Sequence, residues 1–350
     1  MKAARFHAAR DLRVEDVPEP ELRPGAVMVD IAWCGICGSD LHEYLVGPNF
    51  IPHPGHPHPI SGEEPPIIMG HEFSGTISAV GEGVTDLVVG QNVVVEPYII
   101  RDDVPMGPDD EYQLSPDTNF VGLAGRGGGL SEKVVADRKW VHPIGDIPLD
   151  QAALIEPLAV SHHAVTRSGA KPGQTAIVGG AGPIGLMTAA ILKAKGLTVL
   201  VSEINPPRKE KARVIGVDAV FDPTGTDVAE EVRRRTGGTG ADVAFECTSV
   251  QPVLDMLMDA VKPTGTIVNV SVWMAPAAVD MERVVIKEIT LRGSMAYAHD
   301  HAAVIALIQE GSIDLEPLIT SRIALDDVVE QGFERLIQNN ETEVKILVHP

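Results

Sequence analysis

The stretch Thr175 to Glu203, TAIVGGAGPIGLMTAAILKAKGLTVLVSE, decides the fold. TAIVGG (175–180) is a short apolar run closing on glycines, IGLMTAAILKAKG has the length and composition of a helix, and TVLVSE (198–203) is apolar again. At the first junction lies Gly180-Ala181-Gly182-Pro183-Ile184-Gly185, a GxGxxG directly after a strand and opening a helix. Its glycines permit a tight turn, backbone approach to a pyrophosphate, and close packing of helix on sheet. Pro183 suits the first helical turn, where a missing N–H costs nothing. The free N–H groups of that turn, aided by the helix dipole, would hold the pyrophosphate. Gly180, Gly182, Pro183, Ile184 and Gly185 are therefore candidate cofactor-binding residues. Alone the motif is weak, because glycine-rich turns are common. Its context is stronger: Glu203 ends the next strand, where a carboxylate bonds ribose hydroxyls and repels a 2′-phosphate, so NAD is expected over NADP. Arg208 could lie over the adenine end, or be merely solvated in the charged run PPRKEKAR.

Outward from this unit the alternation continues. ADVAFECTS (241–249) and GTIVNVSVW (265–273) read as further strands between helical runs, the pattern of βαβ units and a parallel sheet. Upstream the texture differs. GTISAVGEGV (75–84) and VVVEPYII (93–100) are valine-rich strands bounded by turns, and the Gly/Pro-rich residues 48–66 read as a long loop. After ITLRGS (289–294) two helical stretches lead to VKILVHP, a final strand. The expected fold is α/β: a β-rich, barrel-like domain over 1–155, a doubly wound parallel-sheet domain over 156–294, and a segment 295–350 returning to the first domain.

Composition bounds the partners. Lys+Arg number 28 against Asp+Glu 49, a net charge of −21, which repels phosphate backbones and anionic lipid. No nucleic-acid or membrane partner is expected. The longest apolar run, 175–192, is interrupted by glycines and a proline and falls short of the ~20 apolar residues of a bilayer span. The opening MKAARFHAARDLRVEDV lacks the apolar core of a secretory signal. Three cysteines, Cys34, Cys37 and Cys247, suit a reducing compartment rather than a disulfide framework. The expectation is a soluble cytoplasmic protein.

The first half concentrates reactive side chains in Cys34-Gly35-Ile36-Cys37-Gly38-Ser39-Asp40-Leu41-His42, followed by Gly70-His71-Glu72 and later by Glu156-Pro157-Leu158. A thiolate, an imidazole and a carboxylate are standard zinc ligands, and three protein ligands leave the open position that catalysis needs. A CxxC could also be a redox pair or half a zinc ribbon. No second CxxC completes a ribbon and no thioredoxin-like pattern surrounds it. Cys34 can equally be a small buried hydrophobe.

These motifs resemble the zinc-containing medium-chain dehydrogenase/reductase family, and the resemblance spans nearly the whole chain. It is carried by CGICGSDLHEYLVGPNFIP, MGHEFSGTISAVGEGV, VVVEPYI, GGGLSEKVV, ALIEPLAVSHHAV and GSIDLEPLITSRIALDDVVEQGFE. The first two are highly specific. The insert PNFIPHPGHPHPISGEEPP and the EPLAV stretch point more softly to the family's butanediol dehydrogenase branch, next to sorbitol dehydrogenase. The resemblance implies a GroES-like catalytic domain and a Rossmann domain. It implies a zinc- and NAD-dependent alcohol dehydrogenase acting on a small secondary alcohol or vicinal diol, 2,3-butanediol/acetoin, and a homo-oligomer (dimer or tetramer). By position, Cys37, His71 and Glu156 would ligate the catalytic zinc. Glu72 is a near or alternating ligand, so the carboxylate remains open between the two. Asp40 would accept from the other nitrogen of His71. Ser39 and His42 match the family's proton relay.

Many members hold a second, structural zinc by four cysteines just after the VEPY strand. Here those positions are Arg101, Val104, Gly107 and Ser115, and no histidine lies between Glu96 and Leu114, so one zinc per chain is expected. The acids Asp102, Asp103, Asp109, Asp110 and Glu111 lack the spacing of a calcium loop and are expected on a solvated face. His53, His56 and His58 alternate with prolines in an extended surface loop at the substrate entrance. His162 and His163 follow EPLAVS and suit packing or capping. His299 and His301 flank Asp300. Rival readings are a polyol (sorbitol-type) or threonine dehydrogenase and, from another class, a non-enzymatic NAD-binding protein, whose mark would be lost zinc ligands.

Overall fold

The computed structural model describes all residues except 108, 340 and 341. The chain divides into two compact units, one of residues 1–156, 301–305 and 319–350, the other of residues 157–300 and 306–318.

The second unit is built on a six-stranded sheet in the order Ala219–Phe221, Thr198–Ser202, Thr175–Gly179, Ala241–Glu246, Val261–Asn269, Thr290–Gly293. All five pairings are parallel. Numbered along the chain this is 3-2-1-4-5-6, the doubly wound order, with the topological switch beside the strand that feeds the glycine turn. The helices Pro183–Ala194, Pro206–Val214, Val228–Arg235 and Gln251–Ala260 follow the strands in alternation. Covered sheets of this kind need strands apolar on both faces, and Ala176, Ile177 and Val178 are fully buried. Ile177, Leu200, Ala244, Leu254, Leu257 and Ile267 share one core. The strand read from GTIVNVSVW begins earlier, at Val261, and stops at Asn269.

The first unit is dominated by a largely antiparallel, seven-stranded sheet. Its long central strand, Ala26–Gly35, pairs with Glu72–Val80, with Lys133–Asp137 and with Lys345–His349. The stretch VVVEPYII is not one strand. Asn92–Val95 pairs within the large sheet, whereas Tyr98–Ile99 pairs with Asn119–Phe120. Pro97 lies at the break, where a residue without an N–H cannot continue the ladder. Around Tyr98 the rings of Tyr112, Phe120 and Trp140 pack at centroid distances of 5.4, 5.0 and 5.5 Å. This aromatic group, with the Ser115–Thr118 hydroxyl contact at 2.7 Å, packs the lobe that lacks the four cysteines. Asp102, Asp103, Asp109 and Glu111 are exposed there, while Asp110 is half-buried and accepts from the Gly107 N–H at 2.5 Å.

Among the described residues no helix is long and apolar enough to cross a membrane.

Candidate active site

The central strand ends at Gly35 and the chain turns at Ile36-Cys37 into the helix Gly38–Val46. Cys37 is the N-cap, and its backbone N–H donates to the Asp40 carboxylate at 2.9 Å. That bond fixes Asp40, fully buried, with its other oxygen 3.4 Å from His71 Nδ1. The distance is within ion-pair reach but longer than a good hydrogen bond. The opposite ring nitrogen, Nε2, lies 3.3 Å from Ser39 Oγ. Residues 37–40 thus address both nitrogens of a histidine brought in by the neighbouring strand.

Register completes the arrangement. Gly35 stands opposite Glu72, and Leu347 stands opposite Gly35. The donor atoms of Cys37, His71 and Glu72 all lie within 4.8 Å of one another. A Cβ on Gly35 would run into the Glu72 carboxylate, so glycine here leaves that carboxylate its place. From the third strand, Lys345 Nζ donates to Glu72 Oε1 at 2.8 Å and Oε2 at 2.6 Å, and to the Ile36 carbonyl at 3.3 Å. Both partners are almost wholly buried. Glu156, second residue of the helix Ile155–Ser168, is also buried but does not share the mutual 4.8 Å grouping. Burial alone would lower the Lys345 pKa; the charge of Glu72, with Cys37 and Glu156 behind it, outweighs this and raises it.

A thiol, an imidazole and a carboxylate converging in a buried space form a zinc-type donor set. Burial opposes a charged His71, yet the Asp40 carboxylate and the Cys37 sulfur hold its pKa well above the ordinary value. The donor chemistry of Cys37, His71 and Glu72, gathered within 4.8 Å, fits a zinc ion. One helical turn beyond Ser39, half-buried His42 accepts from the Asn49 side-chain amide at Nδ1, 3.2 Å away. That bond leaves Nε2 to carry the ring proton.

In the second unit the glycine turn divides its tasks among three positions. Gly180 has φ +93°, a backbone that favours glycine. A Cβ on Gly185 would lie 2.1 Å from the Gly180 carbonyl oxygen, so helix and strand could not approach as they do. At Gly182, the N-cap before Pro183, a Cβ would meet nothing closer than Arg208 Nη1 at 3.9 Å. The space before the helix end is open. Glu203 is buried, accepting from the Ala181 N–H at 2.7 Å and the Asn205 N–H at 2.8 Å. Its carboxylate therefore braces the turn. Ile184 receives the Ser161 hydroxyl on its carbonyl at 3.3 Å.

Other histidines sort differently from their sequence setting. His53 and His56 are exposed, but His58 turns inward and its Nδ1 lies 3.4 Å from the Ile60 and Ser61 N–H groups. Burial lowers its pKa. His162 and His163 both engage Asp300 through Nδ1, at 2.5 and 2.9 Å. Burial would raise the Asp300 pKa, but these two bonds hold it down to about 2.

Lys345, Gly35, Asn49 and Asp300 did not emerge from the sequence as site residues. Lys345 carried one signal, a lone charge inside the apolar run VKILV.

The alcohol dehydrogenase GroES-like domain family matches residues 23–146, and the zinc-binding dehydrogenase family matches residues 183–310. The (R,R)-butanediol dehydrogenase of Neisseria gonorrhoeae is 62% identical, over 100% of this chain and 99% of that protein. The (R,R)-butanediol dehydrogenase of Bacillus subtilis is 45% identical over 100% of both. A crystal structure of 2R,3R-butanediol dehydrogenase from Bacillus subtilis superposes with a TM-score of 0.94 at 44% identity, covering 100% of this chain and 99% of that one. Matches of this length and closeness, over both units, show that the chain belongs to the zinc-dependent alcohol dehydrogenase family of oxidoreductases.

Proposed function

We propose that this enzyme transfers hydride between the secondary alcohol of a vicinal diol, 2,3-butanediol, and NAD, yielding acetoin, and that it runs the reverse reduction. The observation that carries the reading is the convergence of the Cys37, His71 and Glu72 donor atoms within 4.8 Å of one another, with Ser39 Oγ beside His71. The diol itself is supported by the names of the relatives, which are 62% and 45% identical over the full chain. When bound, zinc supplies Lewis-acid polarisation of the substrate hydroxyl and NAD supplies the hydride acceptor.

The chain's own residues have these parts. Cys37 and His71 would hold the metal, with a carboxylate as third ligand. Glu72 already gives both oxygens to Lys345, which favours Glu156 for that place and leaves Glu72 as the alternate. Asp40, anchored on the Cys37 N–H, orients His71. Ser39 Oγ takes the alcohol proton and passes it toward His42, whose half-buried ring delivers it to solvent. Asn49 fixes that ring. In the second unit the N–H groups of Gly182, Ile184 and Gly185 would face the pyrophosphate, while Pro183, which has none, sets the first helical turn. Glu203 would take the ribose hydroxyls and disfavour NADP, with Arg208 at the adenine end.

Each chain would hold one tightly bound catalytic zinc, since Arg101, Val104, Gly107 and Ser115 offer the lobe no thiolate. The absence of paired cysteines suits a reducing, cytoplasmic setting. A homo-oligomer is supported by the strand Thr290–Gly293, exposed along its length at the sheet edge. Beside it in sequence, Val285 and Ile286 are 70% and 73% exposed. An open edge flanked by apolar side chains is a surface that a second copy covers.

The deciding experiment is NAD reduction with meso-, (R,R)- and (S,S)-butanediol, sorbitol and threonine. The butanediols should give the highest kcat/KM; faster turnover of sorbitol or threonine would reassign the substrate.

A further inference from the structure

Among the described residues one other group of metal-ligating side chains is gathered, formed by Glu96, His142 and His301. Its donor atoms also lie within 4.8 Å of one another. Two adjacent strands place the first pair: Val94 stands opposite His142, and the Glu96 N–H donates to the Trp140 carbonyl at 2.8 Å. His301 enters from the first turn of the helix Asp300–Gln309.

The spacing suits a small cation. Glu96 Oε2 lies 3.0 Å from His142 Nε2 and 3.6 Å from His301 Nδ1. Zinc bonds of about 2.0–2.2 Å to nitrogen and oxygen set neighbouring tetrahedral ligands roughly 3.3–3.6 Å apart. The Glu96–His301 separation falls at that range, and the Glu96–His142 separation lies slightly inside it. Two histidines and one carboxylate are a donor set zinc accepts at sites with an open fourth position. The second oxygen of Glu96 accepts from the Tyr112 hydroxyl, the kind of outer contact that orients a ligating carboxylate. Glu96 and His301 are buried, whereas the His142 side chain is 26% exposed and offers a route in from solvent. The two imidazole rings stack at 5.0 Å with 17° between their planes. Coordination runs along in-plane lone pairs, so filling the site would fan the rings apart.

We propose that Glu96, His142 and His301 form a second divalent-metal site of the zinc class, separate from the Cys37 centre and from the cysteine-less lobe. It goes beyond the catalytic reading: this is an exchangeable site that fills when metal is supplied. Through Tyr112 it clamps the lobe to the sheet, and a bound cation stabilises the folded chain by mass action.

The test is calorimetric titration of the zinc-loaded enzyme with ZnCl2, repeated with CoCl2 and followed by visible absorption. Wild type should show one saturable site per chain beyond the resident zinc, with cobalt bands free of thiolate charge transfer. His142→Gln, at a partly exposed position, and Glu96→Gln remove ligands and should each weaken it by more than the roughly 10–100-fold that loss of an outer contact costs. Cys37→Ser and His56→Gln should leave it in place. The proposal is overturned by no saturable site, by unchanged affinity in His142→Gln, by loss in His56→Gln, or by a thiolate band on the added cobalt. The readout is binding, so an error in the substrate assignment would leave it untouched.

Discussion

Replacing Lys345 with methionine tests how the site is supported. Its ammonium makes two short bonds to Glu72 and one to the Ile36 carbonyl, and the pair is 2% and 1% exposed. Removing one member of such a pair strands the other charge in a low-dielectric space, typically at about 3–5 kcal/mol. For a unit of this size 1 kcal/mol moves the melting midpoint by roughly 2–4 °C, so Lys345→Met should melt roughly 6–20 °C lower. Glu72→Gln alone should also be costly, because it strands the ammonium. The double variant removes both charges and should recover at least ~1 kcal/mol relative to the summed singles. Chemical denaturation of all four proteins closes the cycle, with zinc content and turnover measured beside it. Additive singles, or a Lys345→Met protein as stable as wild type, would refute the claim that this ion pair braces the site.

Three further outcomes are expected. Ser39→Ala should retain zinc yet lose about 10²–10⁴-fold in kcat; a normal rate across the pH range would remove Ser39 from the relay. Glu203→Ala should narrow the preference for NAD over NADP, and should weaken NAD binding as well because the Ala181 N–H loses its acceptor; equal use of both cofactors by wild type would end the assignment. Ile286→Lys, which plants a charge among the exposed apolar side chains of the helix Met281–Lys287, should lower the assembly state seen by light scattering, and an unchanged mass would exclude that face.

What the sequence made legible follows from range. The second unit was readable because its information is local: the glycine turn, the acid closing the next strand and the apolar alternation all fall within a few tens of residues. Cys37 and His71 were likewise visible, each inside a compact motif. The break at Glu96-Pro97 was missed because valine-rich composition overrode the one residue that cannot join a ladder. Lys345 was invisible as a partner for Glu72, since the two meet only through register across the central strand. The group of Glu96, His142 and His301 was hidden in the same way. A search for ligands confined to 96–114 contains the carboxylate and neither imidazole.

The strand Lys345–His349 has a consequence in the order of synthesis. Cys37 and His71 emerge early, but the ammonium that neutralises Glu72 is made 273 residues later. Until that strand arrives, Val348 is not yet beside Cys34 nor Leu347 beside Gly35, and the sheet edge at the site stands open. Over that interval the Glu72 carboxylate lacks the ammonium that pairs with it in the folded chain. Competence for metal should appear only once the strand Lys345–His349 has docked, rather than on folding of the segment that holds Cys37 and His71.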